Sequence, residues 1–439
     1  VRRMHAVTGA SRVRLHPLRS RRDGDDWIVG RVETGNFVSF PDIGQRVIEL
    51  LAEGGPIDAV AARVAAETGT TIDVADFVAA LIDVGFVAEI DGRPTGDTGR
   101  ERPSLPWLKP RHVRWTLRSG VHIGLVAFIL AGLAALAVRP EIMPSPSIMA
   151  WSEFGTVSLV TQIAIAWSLV MLHELAHLCT ARAAGVPGRI TLGSRLQFLV
   201  VQTDVSGVWG EEKRVRMTVY LAGMALDAAI AAAGFVLLCV VPPEEGAHTA
   251  LSIVVLTQID AMSFQLLIFM RTDLYFVAQD LAGCRNLYGD GVAYGRYLIA
   301  RLLGRDGASP LARFSRRERS AVRLYTMLLV LGTAVCLAVA ATIVVPALAA
   351  IAMPAIDTLL NGGEGAAIVD AAIVVTVLAG VQGLWARTWW RRHGPRIRRW
   401  FASAAALLGA PVRAGGSRPA VDEPEFSTER CSVEPGRRA

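Results

Sequence analysis

Cysteine is scarce and dispersed in this chain. The five residues, Cys179, Cys239, Cys284, Cys336 and Cys431, form no CxxC pair and follow no framework spacing, so nothing points to an oxidised, disulfide-held fold. No apolar run occurs in roughly the first 110 residues. That leaves no cleavable amino-terminal signal to read, and the first later span is expected to act as the targeting element. Charge is sparse as well: 19% of residues are charged and 52% hydrophobic, with a mean hydropathy of +0.40 over 439 residues, too apolar for an ordinary soluble chain.

The net charge of +6 does not lead to nucleic acid, because the basic residues concentrate beside hydrophobic runs and membrane topology explains them first. Six runs are long enough to cross ~30 Å of hydrocarbon: 119–138, 155–178, 217–241, 249–270, 323–346 and 366–386. Asp227 interrupts the third and Asp260 the fourth. Asp260 is expected to make a polar contact between helices.

Base is missing from every second connection: RPEIMPSPSIMAWSEF, VPPEEGAH and PALAAIAMPAIDTLLNGGEGAA carry almost none. The others are rich in it. RHVRWTLR precedes the first span, Arg182, Arg189, Arg195, Lys213, Arg214 and Arg216 lie between the second and third, SRRERSAVR precedes the fifth, and RTWWRRHGPRIRRWF follows the sixth. Because Lys and Arg near span ends stay cytoplasmic, both termini are expected on the cytoplasmic side.

In that orientation the second span ends on the cytoplasmic side in HELAH, and the fourth ends there in FMRTDLYFVAQD. HExxH on a helix puts two imidazoles on one face, within reach of one metal ion. His173 and His177 are the pair, and Glu174 is placed to act as general base. Zinc suits imidazole ligands and acidifies water, and a catalytic zinc takes three protein ligands, the third often a carboxylate. Asp273 is the expected third ligand. Asp280, two turns on, is the alternative. Ionisable groups in so apolar a segment are costly and usually functional.

These segments resemble the site-2-protease-like intramembrane zinc metalloproteases, in particular a bacterial peptide zinc metalloprotease branch, over roughly residues 105–345. HELAHLCTARAAGVP is similar to the family's metal-binding helix, QTDVSGVWGEEKRVRMTVYLAGMALD to its strand, basic turn and glycine-containing helix, and RTDLYFVAQDLAGCRNL to the segment whose first aspartate is the third zinc ligand. The resemblance implies that Asp273 ligates one catalytic Zn²⁺, and that Gly223 and Asp227 face the site and hold substrate or an oxyanion. It implies hydrolysis of a membrane-associated protein or a ribosomal peptide precursor in a bacterial inner membrane. The chain departs from the family at Met224, where proline is usual, and at Leu274, where glycine is usual and whose loss is expected to tighten the turn carrying Asp273. A non-hydrolytic metal-binding protein for peptide export or immunity is the alternative function, against which Glu174 argues.

RITLGSRLQFLVVQTDVSGVW, with β-branched runs and glycines, is expected to form short strands whose edge could pair with an unwound substrate. The expected class is therefore mainly α: a polytopic membrane protein of about six transmembrane helices, a small β-hairpin region and an N-terminal winged-helix-like α+β domain. Residues 1–24 read as a basic flexible arm. Residues 25–100 form a separate domain in which DWIVGRV and FVSF make a hairpin, three helices follow, and FVAEI closes as a strand. The hairpin, DIGQRVIELLAEGG and LIDVGFVAEI resemble PqqD-like peptide-recognition domains, which implies capture of a leader peptide. Residues 101–386 form the six-helix membrane metalloprotease core, 387–410 an interfacial basic segment and 411–439 a disordered tail.

Overall fold

In the computed structural model the described residues are 7–95, 102–152, 155–195, 198–305 and 307–409. The tail expected over 411–439 lies outside them, as does Cys431. The chain forms two compact units. One gathers the residues through Pro103, the short return Val205–Glu212 and the chain from His393. The other comprises Ser104–Asp204 and Lys213–Arg392.

The first unit opens with strands β1 (Val13–Leu15), β2 (Arg19–Asp23), β3 (Asp26–Arg31) and β4 (Asn36–Phe40). Helices α1 (Asp42–Glu53), α2 (Ile57–Thr68) and α3 (Val74–Asp83) follow, then β5 (Val87–Ile90) and β6 (Arg93–Pro94). Apolar residues at helical spacing drive its assembly. Val47, Ile48, Leu50 and Leu51 of α1, Val60 and Val64 of α2, and Val78 and Leu81 of α3 join Val29, Phe40 and Phe86 in one core. Each large aliphatic buried there contributes roughly 1.5–3 kcal/mol. Gly69 in the left-handed conformation (φ 68°) ends α2, and the Asp73 carboxylate accepts the Asp76 N–H to start α3.

Two expectations change here. The arm expected over 1–24 is structured from Val13 onward, because β1 pairs with β5 (Val13↔Ile90) and β2 with β3 (Arg21↔Ile28). The closing strand therefore joins a sheet of order β1-β5-β6, while the hairpin belongs to a separate sheet, β2-β3-β4. The return Val205–Glu212 is an integral part of this unit: Val208 is fully buried, Arg19 pairs with Glu211, and Gly210 lies so close to Phe37 that a Cβ would meet its ring at 2.9 Å.

The second unit contains α4 (Pro110–Val113), α5 (Ser119–Val138), α6 (Gly155–Ala183), strands β7 (Arg189–Arg195) and β8 (Phe198–Asp204), and α7 (Lys213–Leu238). It continues with α8 (Gly246–Gln265), α9 (Asp273–Ala282), α10 (Leu287–Leu302), α11 (Arg316–Val339), α12 (Val345–Asn361) and α13 (Gly365–Gly409), the last of which runs on into the first unit. Among the described residues six helical stretches are long and apolar enough to cross a membrane: Ser119–Val138, Gly155–Ala183, Lys213–Leu238, Gly246–Gln265, Arg316–Asn361 and Gly365–Arg391. These are the six expected, with different ends. The fourth stops at Gln265, so Asp273 begins a helix of its own. The fifth continues through PALAAIAMPAIDTLLN, which was expected to be a connection. A π-helical turn at Ala340–Val344 accommodates Pro346, and the apolar run stays helical until Gly362 at φ 83°. The basic segment from 387 continues α13 without a break through Pro395.

Small residues allow close helix approach. A Cβ on Gly132 of α5 would run into Ala232 of α7, and one on Gly234 of α7 into Val255 of α8. At the end of α6 away from the histidines, Asp370 of α13 accepts the Thr156 N–H at 2.9 Å while the Thr156 hydroxyl donates to the Asp370 carbonyl at 3.1 Å. The polar interhelical contact expected of Asp260 is not seen among the described residues. Ser252, Val255 and Gln258 define the buried face of α8, and Asp260 falls on the exposed face, with no hydrogen-bond or ion-pair partner among the described residues.

Candidate metal centre

Helices α6 and α7 lie side by side in opposite directions, and one ladder of residues on α7 meets the two histidines of α6. His173 and His177 are one turn apart, as are Val219, Gly223 and Asp227. His173 Nδ1 donates to Asp227 Oδ2 at 2.6 Å, and His177 Nδ1 donates to the Val219 carbonyl at 2.8 Å. Gly223 sits between these contacts. A Cβ built on it would lie 2.5 Å from His177 Nε2 and no farther from His173 Nε2, so hydrogen alone fits there. The centre is buried, with His173, Glu174, His177 and Asp227 at 7, 7, 5 and 2% exposure.

With both Nδ1 atoms committed as donors, the neutral rings carry bare lone pairs on Nε2. The two Nε2 atoms are 3.1 Å apart, and they lie 2.9 and 3.0 Å from Asp273 Oδ2. Three acceptors facing one another at this range repel unless a cation lies among them. His173, His177 and Asp273 thus form a group able to hold a metal ion. The set of two imidazoles and one carboxylate is one that suits a catalytic zinc with an open position. The carboxylate behind His173 and the carbonyl behind His177 supply the outer contacts that fix ligating imidazoles.

Asp273 reaches the histidines because the chain turns sharply after α8. Arg271 adopts the left-handed conformation (φ 60°, ψ 45°), uncommon for a side-chain-bearing residue. Its guanidinium lies over the rings of Tyr275 and Tyr288, 5.9 and 5.3 Å from their centroids. Gln265, the last residue of α8, accepts the Asp273 N–H through Oε1 at 3.0 Å, and its carbonyl accepts the Thr272 hydroxyl at 2.7 Å. Leu274 is already inside α9, so the turn does not depend on a glycine there. Met224 likewise continues α7 without interruption.

The remaining candidates separate. Asp280 shares a face of α9 with Asp273 but is taken up by Arg216, whose Nε and Nη2 bind its two oxygens at 2.7 and 2.6 Å in a buried bidentate pair. It clamps α9 to the start of α7, and its expected role as alternative ligand is corrected on that ground. Asp227 lies behind His173, where it orients the ring. A carboxylate there would repel an oxyanion. Gly223 does face the centre.

Sequence reasoning missed Thr203. The expected strands are β7 and β8, paired antiparallel from Arg189↔Asp204 to Arg195↔Phe198. Near their open end the Thr203 hydroxyl donates to Glu174 Oε2 at 2.6 Å and lies 3.1 Å from the Glu174 carbonyl oxygen. Nothing in the strand pattern singles out this threonine. The carbonyl of Val219 and the amide of Gln265 also carry no local sequence signal.

No family model, curated protein or solved structure matches the chain.

Proposed function

We propose that this protein is an intramembrane zinc-dependent endopeptidase of the site-2-protease-like kind. One observation carries the reading: the Nε2 lone pairs of His173 and His177 and the Asp273 carboxylate converge on one point, beside a glutamate one residue from the first histidine. A purely metal-storing centre has no need of Glu174.

His173, His177 and Asp273 hold the ion, and zinc, when bound, supplies Lewis acidity towards water and a peptide carbonyl. Glu174 removes a proton from the attacking water and delivers it to the leaving amine. Asp227 and the Val219 carbonyl keep the imidazoles oriented, and the buried setting strengthens each of these interactions.

The alternation of basic and base-free connections supports a multi-pass protein of the bacterial inner membrane, with both termini cytoplasmic and the centre near the cytoplasmic face. Its substrate is a membrane-associated protein or peptide precursor. The N-terminal unit, read as a PqqD-like winged-helix-like domain, offers strand edges to a leader peptide.

The test uses the full chain and its Glu174→Gln variant, purified in detergent, with bound zinc measured and cleavage followed on internally quenched leucine-rich peptides in micelles. Equal zinc in both, with hydrolysis in the wild type alone, is the expected result. Equal hydrolysis in both removes Glu174 as the base. Zinc bound without hydrolysis in either favours the non-hydrolytic alternative.

A further inference from the structure

Resting on that reading, we infer that Thr203 of the β7–β8 hairpin is a positioning residue for the general base, assigning different tasks to the two oxygens of Glu174. The Thr203 hydroxyl occupies Oε2 at 2.6 Å. Oε1 has no hydrogen-bond partner among the described residues, so it is the oxygen left to take and return a proton. A glutamate side chain has three rotatable bonds, and a short hydrogen bond at its tip removes most of that freedom.

The hairpin is held firmly enough for this task. Gly188, just before β7, sits so tightly on α6 that a Cβ would lie 2.6 Å from Leu178 Cδ1. Ser104 ties the hairpin base to the end of the same helix: its N–H donates to the Gly188 carbonyl at 3.1 Å, its hydroxyl accepts the Ile190 N–H at 3.0 Å, and its carbonyl accepts Arg182 Nη2 at 2.8 Å. Ile190 is the register partner of Thr203. The histidines, the glutamate and the threonine are thereby carried on one framework of α6 and the hairpin base. Since a hairpin that shifted would release Oε2, the strand pair governs the base without contributing a ligand.

The experiment compares Thr203→Val, which keeps the shape and loses the hydroxyl, with Thr203→Ser, which keeps the hydroxyl, each in the wild-type and Glu174→Gln backgrounds. Zinc content is measured first and is expected to be equal in all. Hydrolysis of the quenched peptides is expected to fall about ten- to hundredfold in kcat for Thr203→Val with KM unchanged, and to stay within about threefold for Thr203→Ser. Binding of a leucine-rich peptide hydroxamate, whose hydroxyl would share a proton with the base, is read without turnover. Thr203→Val should weaken it about tenfold in the wild type and not at all in Glu174→Gln. An equal loss in both backgrounds means that the threonine only stabilises the hairpin and overturns the inference. So does wild-type behaviour of Thr203→Val when Glu174→Gln is inactive, which leaves the protease reading intact. Absence of both hydrolysis and hydroxamate binding in the wild type overturns both.

Discussion

Replacing Gly223 with alanine is the most direct perturbation of the centre. The added methyl would lie 2.5 Å from His177 Nε2 and no farther from His173 Nε2, on the side where both lone pairs point. Ordinary carbon–nitrogen contact begins near ~3.4 Å, so one or both rings must retreat by about 1 Å. Neither can retreat freely, since Asp227 holds one at 2.6 Å and the Val219 carbonyl holds the other at 2.8 Å. Giving up the bond to the charged partner costs about 1.5–3 kcal/mol. Loss of an outer contact of this kind lowers metal affinity about 10- to 100-fold, before the methyl's own occupation of the site is counted. The expected result is at least a hundredfold weaker zinc binding, measured by competition with a chelator of known affinity and by metal content after gel filtration. Gly120→Ala is the control, because nothing lies within 4 Å of a Cβ at that position. A Gly223→Ala protein that binds zinc as tightly as the wild type would refute the geometry on which the metal reading depends.

Two further outcomes follow from other parts of the second unit. Asp280→Ala leaves the Arg216 guanidinium, 4% exposed, without its bidentate partner; a broken buried pair costs about 3–5 kcal/mol. Thermal unfolding in detergent should fall by several degrees, whereas Arg216→Met combined with Asp280→Leu should recover most of the loss. The Cys284 thiol, 4% exposed, is pushed up to about 11, first by burial and then by Glu318 and Asp290. A folded value above the unfolded one gives stability that is complete below pH ~9 and is lost as the pH rises towards ~11. Cys284→Ala should flatten that alkaline limb in melting curves, and maleimide should label the native wild-type thiol only slowly at pH 8.

The sequence patterns that proved legible are those with a physical period. Runs of about twenty apolar residues mark six helices, and HExxH puts His173 and His177 on one face because four residues make about one helical turn. DWIVGRV and FVSF, on either side of the turn-type ETGN, mark β3 and β4. Positions set by tertiary contact were harder to read. Asp273 and Asp280 share a helix face, and only the buried Arg216 decides which carboxylate is free to meet the histidines. The place of Asp227, one turn beyond Gly223 and bound to His173 Nδ1, is likewise set by the packing of α7 on α6 and not by any local pattern. The helical path through Pro346 depends on a local change of hydrogen-bond pitch that composition does not encode. Thr203 acquires its place from the hairpin's seating on α6, which no local period records.

The ladder on α7 also defines a yardstick for judging other chains. An aspartate 54 residues beyond the first histidine, a glycine one turn before it, and a second aspartate 100 residues beyond that histidine are bound together by contact and not by local pattern. The loops between these helices set the spacings of 54 and 100, but the single turn between glycine and aspartate is fixed by geometry, because both must meet rings that are themselves one turn apart. A distant protein that keeps HExxH but places a bulky residue at the glycine has given up the cage, whatever its hydropathy profile suggests.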